Sequence, residues 1–230
     1  MNLESIKDPL VAFEECRIIA LDIDEPVLRK VALQVLDENK EKFLSIKGSD
    51  WEHHNYIGGL IVHVCSVAFV ATQMAKFYGN SVNLDLVRFG ALMHDVGKLF
   101  DYRPQNEYVN SNVESINRAL LGHSVEGVAY VMSKLKEAYA DDSVVVDREY
   151  AIKAVVQAAH CIGAHMDNFG ACAKQQMLEV LIIGCADKVD AYVGQTVVKE
   201  DDDRGCYMIG TGETFYKAAI SSSKVLMQDT

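Results

Sequence analysis

The chain has 230 residues, half of them hydrophobic, which is enough for one large domain with a substantial core, and 22 Lys+Arg against 33 Asp+Glu leave a formal net charge of −11. That charge repels polyanions at long range and leaves no basic stripe for non-specific nucleic-acid binding, so an anionic substrate needs local positive charge, such as metal ions. Six cysteines at 16, 65, 161, 172, 185 and 206 form no CxxC pair, and "MNLESIKDPL" opens without a basic-then-apolar leader, a combination expected of a cytoplasmic, reduced protein.

Prolines occur only at 9, 26 and 104, so long stretches are free to be helical. The first 49 residues are expected to form a helical extension. Within it "DEPVLRKVALQVLDENKEKFLSI" places Pro26 at a first turn and then spaces Val27, Leu28, Val31, Leu33, Val35 and Leu36 before a charged tail. The stretch 57–75, "IGGLIVHVCSVAFVATQMA", carries no Asp, Glu, Lys or Arg and is long enough to span a bilayer. It also contains His63, Ser66, Thr72 and Gln73, and no second such run accompanies it, so a buried central helix over 58–79, stopped at Gly79-Asn80, is the expectation, with no membrane partner.

Further helices are expected over 84–98, 122–139, 147–161 and 174–195, with a last one in "GETFYKAAISSSKVLM" capped by Thr211. Polar connections fall at 101–112, 139–147 and 199–206. The region 101–118 is the candidate for a substrate-side lid, because long aperiodic loops in compact domains often serve function; a surface excursion is the equal alternative. The acidic run Asp201–Asp203 reads as a solvated loop. One domain therefore accounts for the chain, with 1–49 packing on a core of 50–198, and 199–230 completing it as an acidic loop and C-terminal helix.

Several ionisable residues sit where apolar ones belong. His63 lies inside the 57–75 run, His94 and Asp95 inside "FGALMHDVG", His160 after "AIKAVVQAA", and Asp187 after "LEVLIIGCA". Each faces a desolvation cost unless something pairs it. Singly, each has an ordinary explanation: a core histidine bonded to a carbonyl, or an aspartate paired with Lys188 or with a helix end. Together with His123 they arrive once per expected helix, and helical bundles assemble metal sites from inward side chains on facing helices.

The series His63, His94-Asp95, His123, His160, Asp187 resembles the HD superfamily of metal-dependent phosphohydrolases. The local wording "HHNYIGGLIVH", "HDVGK", "LLGH", "AAHCIG" and "ADKVDA" is similar to the HD domains of 3′–5′ exoribonucleases and of some conjugative relaxases, over roughly residues 50–195. The resemblance implies an all-α HD-domain bundle with the metal site in its core. It also implies two divalent ions with Asp95 between them, His63, His94 and Asp187 completing one site and His123 and His160 serving the other. Imidazole with carboxylate suits Mn, Fe, Zn or Ni better than Ca. Such ions polarise a phosphoryl oxygen and activate a water.

Lys98 is placed to meet a substrate phosphate or Asp95, provided the helix continues through Gly97; a simple salt bridge is the alternative. Arg103 and Arg118 bracket the lid and could clamp phosphate, and His54, with His53, precedes the Gly-Gly at the expected rim of the site. Many relatives read "HHG" where this chain has His160-Cys161-Ile162-Gly163. Cys161 could ligate instead, or His165 could substitute, but Gly163 is expected to end the helix and leave both outside the site.

The expectation is a phosphohydrolase acting on a phosphomonoester or phosphodiester of a nucleotide or short oligonucleotide. Residues before the domain carry too little strand signal for an OB fold, and the −11 charge disfavours long RNA. Two alternatives remain: a di-iron HD-fold oxygenase, and a non-catalytic regulatory or binding module.

Overall fold

A computed structural model describes residues 3–49, 53–103, 113–114, 119–141, 143–144, 146–166, 171–193, 198–201, 206–209 and 214–216. Helices dominate. Helix α1 (Pro9–Leu21) starts where Asp8 accepts from the Leu10 and Val11 amides with Pro9 at the first helical position, and α2 (Pro26–Glu38) repeats the device with Glu25 and Pro26. The expected long helix over 26–46 is two. Buried Asn39 turns its amide onto the Val35 carbonyl (2.9 Å) and the Tyr130 hydroxyl (3.1 Å), and α3 (Lys40–Ser45) begins anew after it.

Helix α4 (Gly59–Tyr78) is the long apolar segment, bounded by left-handed Gly58 (φ 76°) and by Gly79 (φ 56°). It is long and apolar enough to cross a membrane, yet most of its side chains are buried by α1, α5 and the C-terminal helix, as befits a core helix. Helix α5 (Leu84–Met93), capped by Asn83, lies beside it. The shared core is filled by Phe13, Leu36, Phe43, Leu60, Phe89, Leu92, Met93, Leu135 and Ile162, each almost fully buried. Helix α7 (Gly122–Tyr139) and α8 (Arg148–Gly163, capped by Asp147) form a hairpin, α8 packing on α5 and α7 on α2, and α9 (Leu178–Val193) closes against α4 and α5.

The sequence expectation fails in two further places. The helix expected over 84–98 stops at Met93. Successive i→i+3 bonds (Val96 to Met93, Lys98 to Asp95, Leu99 to Val96, Phe100 to Gly97) tighten the chain through His94–Gly97 before the one-turn α6 (Lys98–Asp101). Gly97 is obligatory there, because a Cβ would lie 1.9 Å from the His123 carbonyl oxygen. That close approach brings the start of α7 against the turn.

Beyond α9, strands β3 (Val198–Asp201), β4 (Cys206–Ile209) and β5 (Thr214–Tyr216) pair antiparallel. The acidic loop is thus partly strand, and the helix expected after Thr211 begins as strand. Glycines at 205, 210 and 212 punctuate runs rich in β-branched and aromatic residues. The proposed lid also contains a small ladder, β1 (Tyr102–Arg103) on β2 (Val113–Glu114), while residues 104–112 and 115–118 lie outside the described residues.

Candidate metal centre

The site is assembled from helix ends and one interior helix position. His63 projects from the first turns of α4, His94 and Asp95 from the tight turn after α5, His123 from the start of α7, and Asp187 and Asp190 from one face of α9, three residues apart. His165 stands just past Ala164, where α8 has ended.

Three hydrogen bonds orient the inner imidazoles. His94 Nδ1 lies 2.8 Å from the Ala91 carbonyl, which can only accept, so Nδ1 carries the proton and Nε2 a lone pair. His165 follows the same logic through Nδ1 to the Ile162 carbonyl (2.6 Å). His63 Nδ1 meets the Asp190 carboxylate at 2.7 Å, which likewise leaves Nε2 facing inward. The His63 and His94 Nε2 atoms then stand 3.2 Å apart. Asp95 Oδ2 lies 3.3 Å from the former and 3.5 Å from the latter, and Asp187 Oδ1 3.2 and 3.9 Å away.

Lone pairs that converge so closely repel unless a metal cation or a proton on His63 joins them. Separations of about 3.4 Å are those of four donors around one tetrahedral ion with bonds of about 2.1 Å. The other oxygen of Asp95, Oδ1, faces His123 Nε2 at 3.5 Å and His165 Nε2 at 4.0 Å. Asp95 therefore presents one oxygen to each of two donor groups, His63/His94/Asp187 and Asp95/His123/His165, both compact enough to hold a metal ion.

The electrostatics point the same way. Burial opposes charge on Asp95, yet Lys98, His94, the His63 hydrogen bond and His123 hold its carboxyl well below the usual range. Burial likewise opposes ionisation of Asp187 and Asp190, which neighbouring histidines keep low. Burial pushes His94 and His123 down to about 4 despite the attraction of Asp95. His63 alone goes the other way. Burial disfavours its charge, but hydrogen bonds to Asp187, Asp190 and Asp95 outweigh that and raise it well above 6.5. Without a cation the carboxylates draw a proton onto His63; with one, that proton is released and Nε2 becomes a donor. The residues present fit a divalent ion.

Not every expected residue arrives. His160 Nε2 accepts from the Gln176 amide at 3.2 Å and stands in neither donor group; His165 takes the place assigned to it. The sequence offers His165 as a substitute, and the expectation that Gly163 ends the helix sets it aside; the helix does end there, and the chain beyond it carries His165 into the second donor group. Cys161 is fully buried, its thiol pushed up to about 12, and packs at Gly90 rather than at the site. His54 is not at an open rim. It is buried, in a left-handed conformation (φ 51°), with Nε2 2.8 Å from Asp190 and Nδ1 3.1 Å from the Tyr56 hydroxyl. It serves a relay Tyr56–His54–Asp190–His63 that the sequence reading missed, although Asp190 follows Asp187 at helical spacing.

Lys98 reaches the site without a continuous helix. Its Nζ lies 2.7 Å from Asp95 Oδ2 and donates to the Gly48 carbonyl at 2.8 Å. The Arg103 side chain and all of Arg118 lie outside the described residues. The site opens on one side: the Asp187 and His123 side chains are each 21% exposed, whereas those of His63, His94 and His165 are at most 1%.

Comparison with known proteins is consistent with this geometry. The family model described as HD domain matches residues 60–192. The chain is 28% identical over 170 residues to a dihydroneopterin 2′,3′-cyclic phosphate phosphodiesterase of Methanocaldococcus jannaschii, an alignment covering 72% of this chain and 59% of that protein. It is 29% identical over 79 residues to the 3′-5′ exoribonuclease YhaM of a Geobacillus species, covering 34% of this chain and 24% of the relative. A second YhaM, from Oceanobacillus iheyensis, aligns at 24% identity over 50% of this chain and 36% of its own length. The chain thus spans under two thirds of each of these relatives. No solved structure matches it.

Proposed function

The chain belongs to the HD domain family, and from that premise we propose that it is a metal-dependent phosphohydrolase cleaving a phosphomonoester or phosphodiester of a nucleotide or short oligonucleotide. The observation that carries the reading is the division of Asp95, one oxygen toward His63 and His94 and the other toward His123 and His165. A single carboxylate so shared suits two divalent ions, Mn, Fe, Zn or Ni by donor type, with His63, His94 and Asp187 holding one and His123 and His165 the other.

Ions held there supply Lewis acidity toward a phosphoryl oxygen and lower the pKa of a water enough for it to attack at neutral pH. The protein's own groups do the rest. Lys98 has three N–H donors; two are engaged by Asp95 and the Gly48 carbonyl, and the third meets a phosphoryl oxygen arriving from the open side. Asp187 and His123, the partly exposed members, border that approach, and the buried His63 and His94 exclude water from the back of the site.

A small phosphodiester fits better than long RNA. The net charge of −11 opposes a polyanion, and the longest of the alignments above is to a relative named for a cyclic phosphate substrate. The test is a hydrolysis panel of nucleoside monophosphates, 2′,3′-cyclic phosphates and short oligonucleotides, run with protein loaded with each metal. Turnover that requires metal and is lost in Asp95→Ala is the expected result. Oxygen uptake without phosphoester cleavage would point to the di-iron oxygenase instead, and no turnover with any metal would leave a binding module.

A further inference from the structure

His53 is unlike the other six histidines. It is buried, with 9% residual exposure, yet neither ring nitrogen has a hydrogen-bond partner among the described residues. A buried imidazole left so is destabilising, which calls for an explanation in a ligand, an ion or a water. Its surroundings narrow the choice. The ring packs 4.8 Å, centroid to centroid, from that of His63 and 5.9 Å from that of His54, and it lies close enough to Lys98 and Asp95 to feel both charges.

Nor is its position loose. Ser49 Oγ donates to the His53 carbonyl at 2.8 Å, and the Gly48 amide to the His54 carbonyl at 3.0 Å; Lys98 holds the Gly48 carbonyl from the site side. Gly59 lets the chain approach so closely that a Cβ there would fall 1.9 Å from the His54 oxygen. His53 belongs to none of the donor groups that could hold a metal. A polar ring beside the centre and outside its ligand sets thus lacks a partner that the described residues could supply.

We propose that His53 is a substrate-contacting residue, its ring N–H donating to a non-bridging oxygen of the phosphate that Lys98 also holds. This rests on the phosphohydrolase reading. A neutral imidazole N–H and an ammonium N–H on one phosphate share its charge without adding a second full positive charge to a buried site. The cost of keeping His53 unpaired in the free protein is then a cost of function, as is common at binding sites.

The test compares His53→Leu and His53→Gln with the unchanged protein, each metal-loaded, by calorimetric titration with inorganic phosphate, metal content and thermal midpoint. His53→Leu should weaken phosphate binding about tenfold or more, keep its metal, and hold or raise its thermal midpoint, because an unpaired polar ring has been replaced by an apolar side chain. His53→Gln, which restores an N–H, should recover part of the affinity. Unchanged phosphate affinity in His53→Leu would overturn the proposal, and loss of metal in that variant would overturn it in favour of a role in the metal centre. If the unchanged, metal-loaded protein binds no phosphate and hydrolyses no phosphoester, the phosphohydrolase reading itself falls.

Discussion

His63 Nδ1 and Asp190 Oδ2 are 2.7 Å apart, and Asp190 stands outside the two donor groups that share Asp95. Asp190 fixes the ring so that Nε2 points at His94, Asp95 and Asp187, and is itself held by His54 at 2.8 Å. Removing it frees the ring and leaves two buried imidazoles short of a partner. Asp190→Ala should lower metal affinity about 10- to 100-fold without removing a ligand, as read by competition with a chromogenic chelator. Asp190→Asn, which keeps an acceptor, should retain part of it.

The exchange of His160 for His165 separates two variants that look equivalent in the sequence. His165→Ala should lose one metal per chain, and His160→Ala should keep its full complement, because the His160 ring accepts from the Gln176 amide and stands outside the donor groups among the described residues. Elemental analysis of the two purified variants decides it.

These two cases show how far the sequence could be read. The regular spacing of apolar residues located α4, α7, α8 and α9, and the ionisable residues interrupting apolar runs located His63, His94, Asp95, His123 and Asp187. Helical periodicity describes only residues on a helix. His165 becomes a member of the site because α8 stops at Gly163 and the chain turns back, and His94-Asp95 act from a turn that follows α5 rather than from within it. Both depend on tertiary contacts, such as the Gly97 amide plane against the His123 carbonyl, that no local pattern encodes. The strands after α9 were missed because an acidic run and a capping threonine outweighed the β-branched and aromatic residues between glycines.

Gly97→Ala tests that contact. The added methyl meets the backbone of His123, not a side chain that can rotate away. The variant should lose about 3 kcal/mol of stability in a denaturant titration, and its weakened metal binding should fall on the His123/His165 group.

Lys98→Met should keep the metal and lose about 100-fold in kcat/KM, because the lost ammonium touches Asp95 and, in the proposed reaction, meets the substrate phosphate. Metal content and steady-state hydrolysis measured on one preparation check both halves.

The metal-free protein should lose stability as pH falls from about 6.5 toward 4. His94 and His123 titrate near 6.5 in the unfolded chain and at about 4 when folded, so the unfolded chain binds more protons across that window. His53, held down to about 3, adds to the effect. His63 opposes it, since its raised value contributes stability that is full below 6.5 and is lost as pH rises through the folded value; it is one group against three. Thermal midpoints at pH 7 and pH 5 in the presence of chelator should differ by several degrees, the lower pH being the less stable.

The most direct test of the shared Asp95 centre is elemental analysis of the protein purified without chelator or added metal, expressed per chain. About two divalent ions of Mn, Fe, Zn or Ni are expected, with loss of both in Asp95→Ala. A chain that binds none, even after reconstitution, or an Asp95→Ala variant that keeps both, would contradict it.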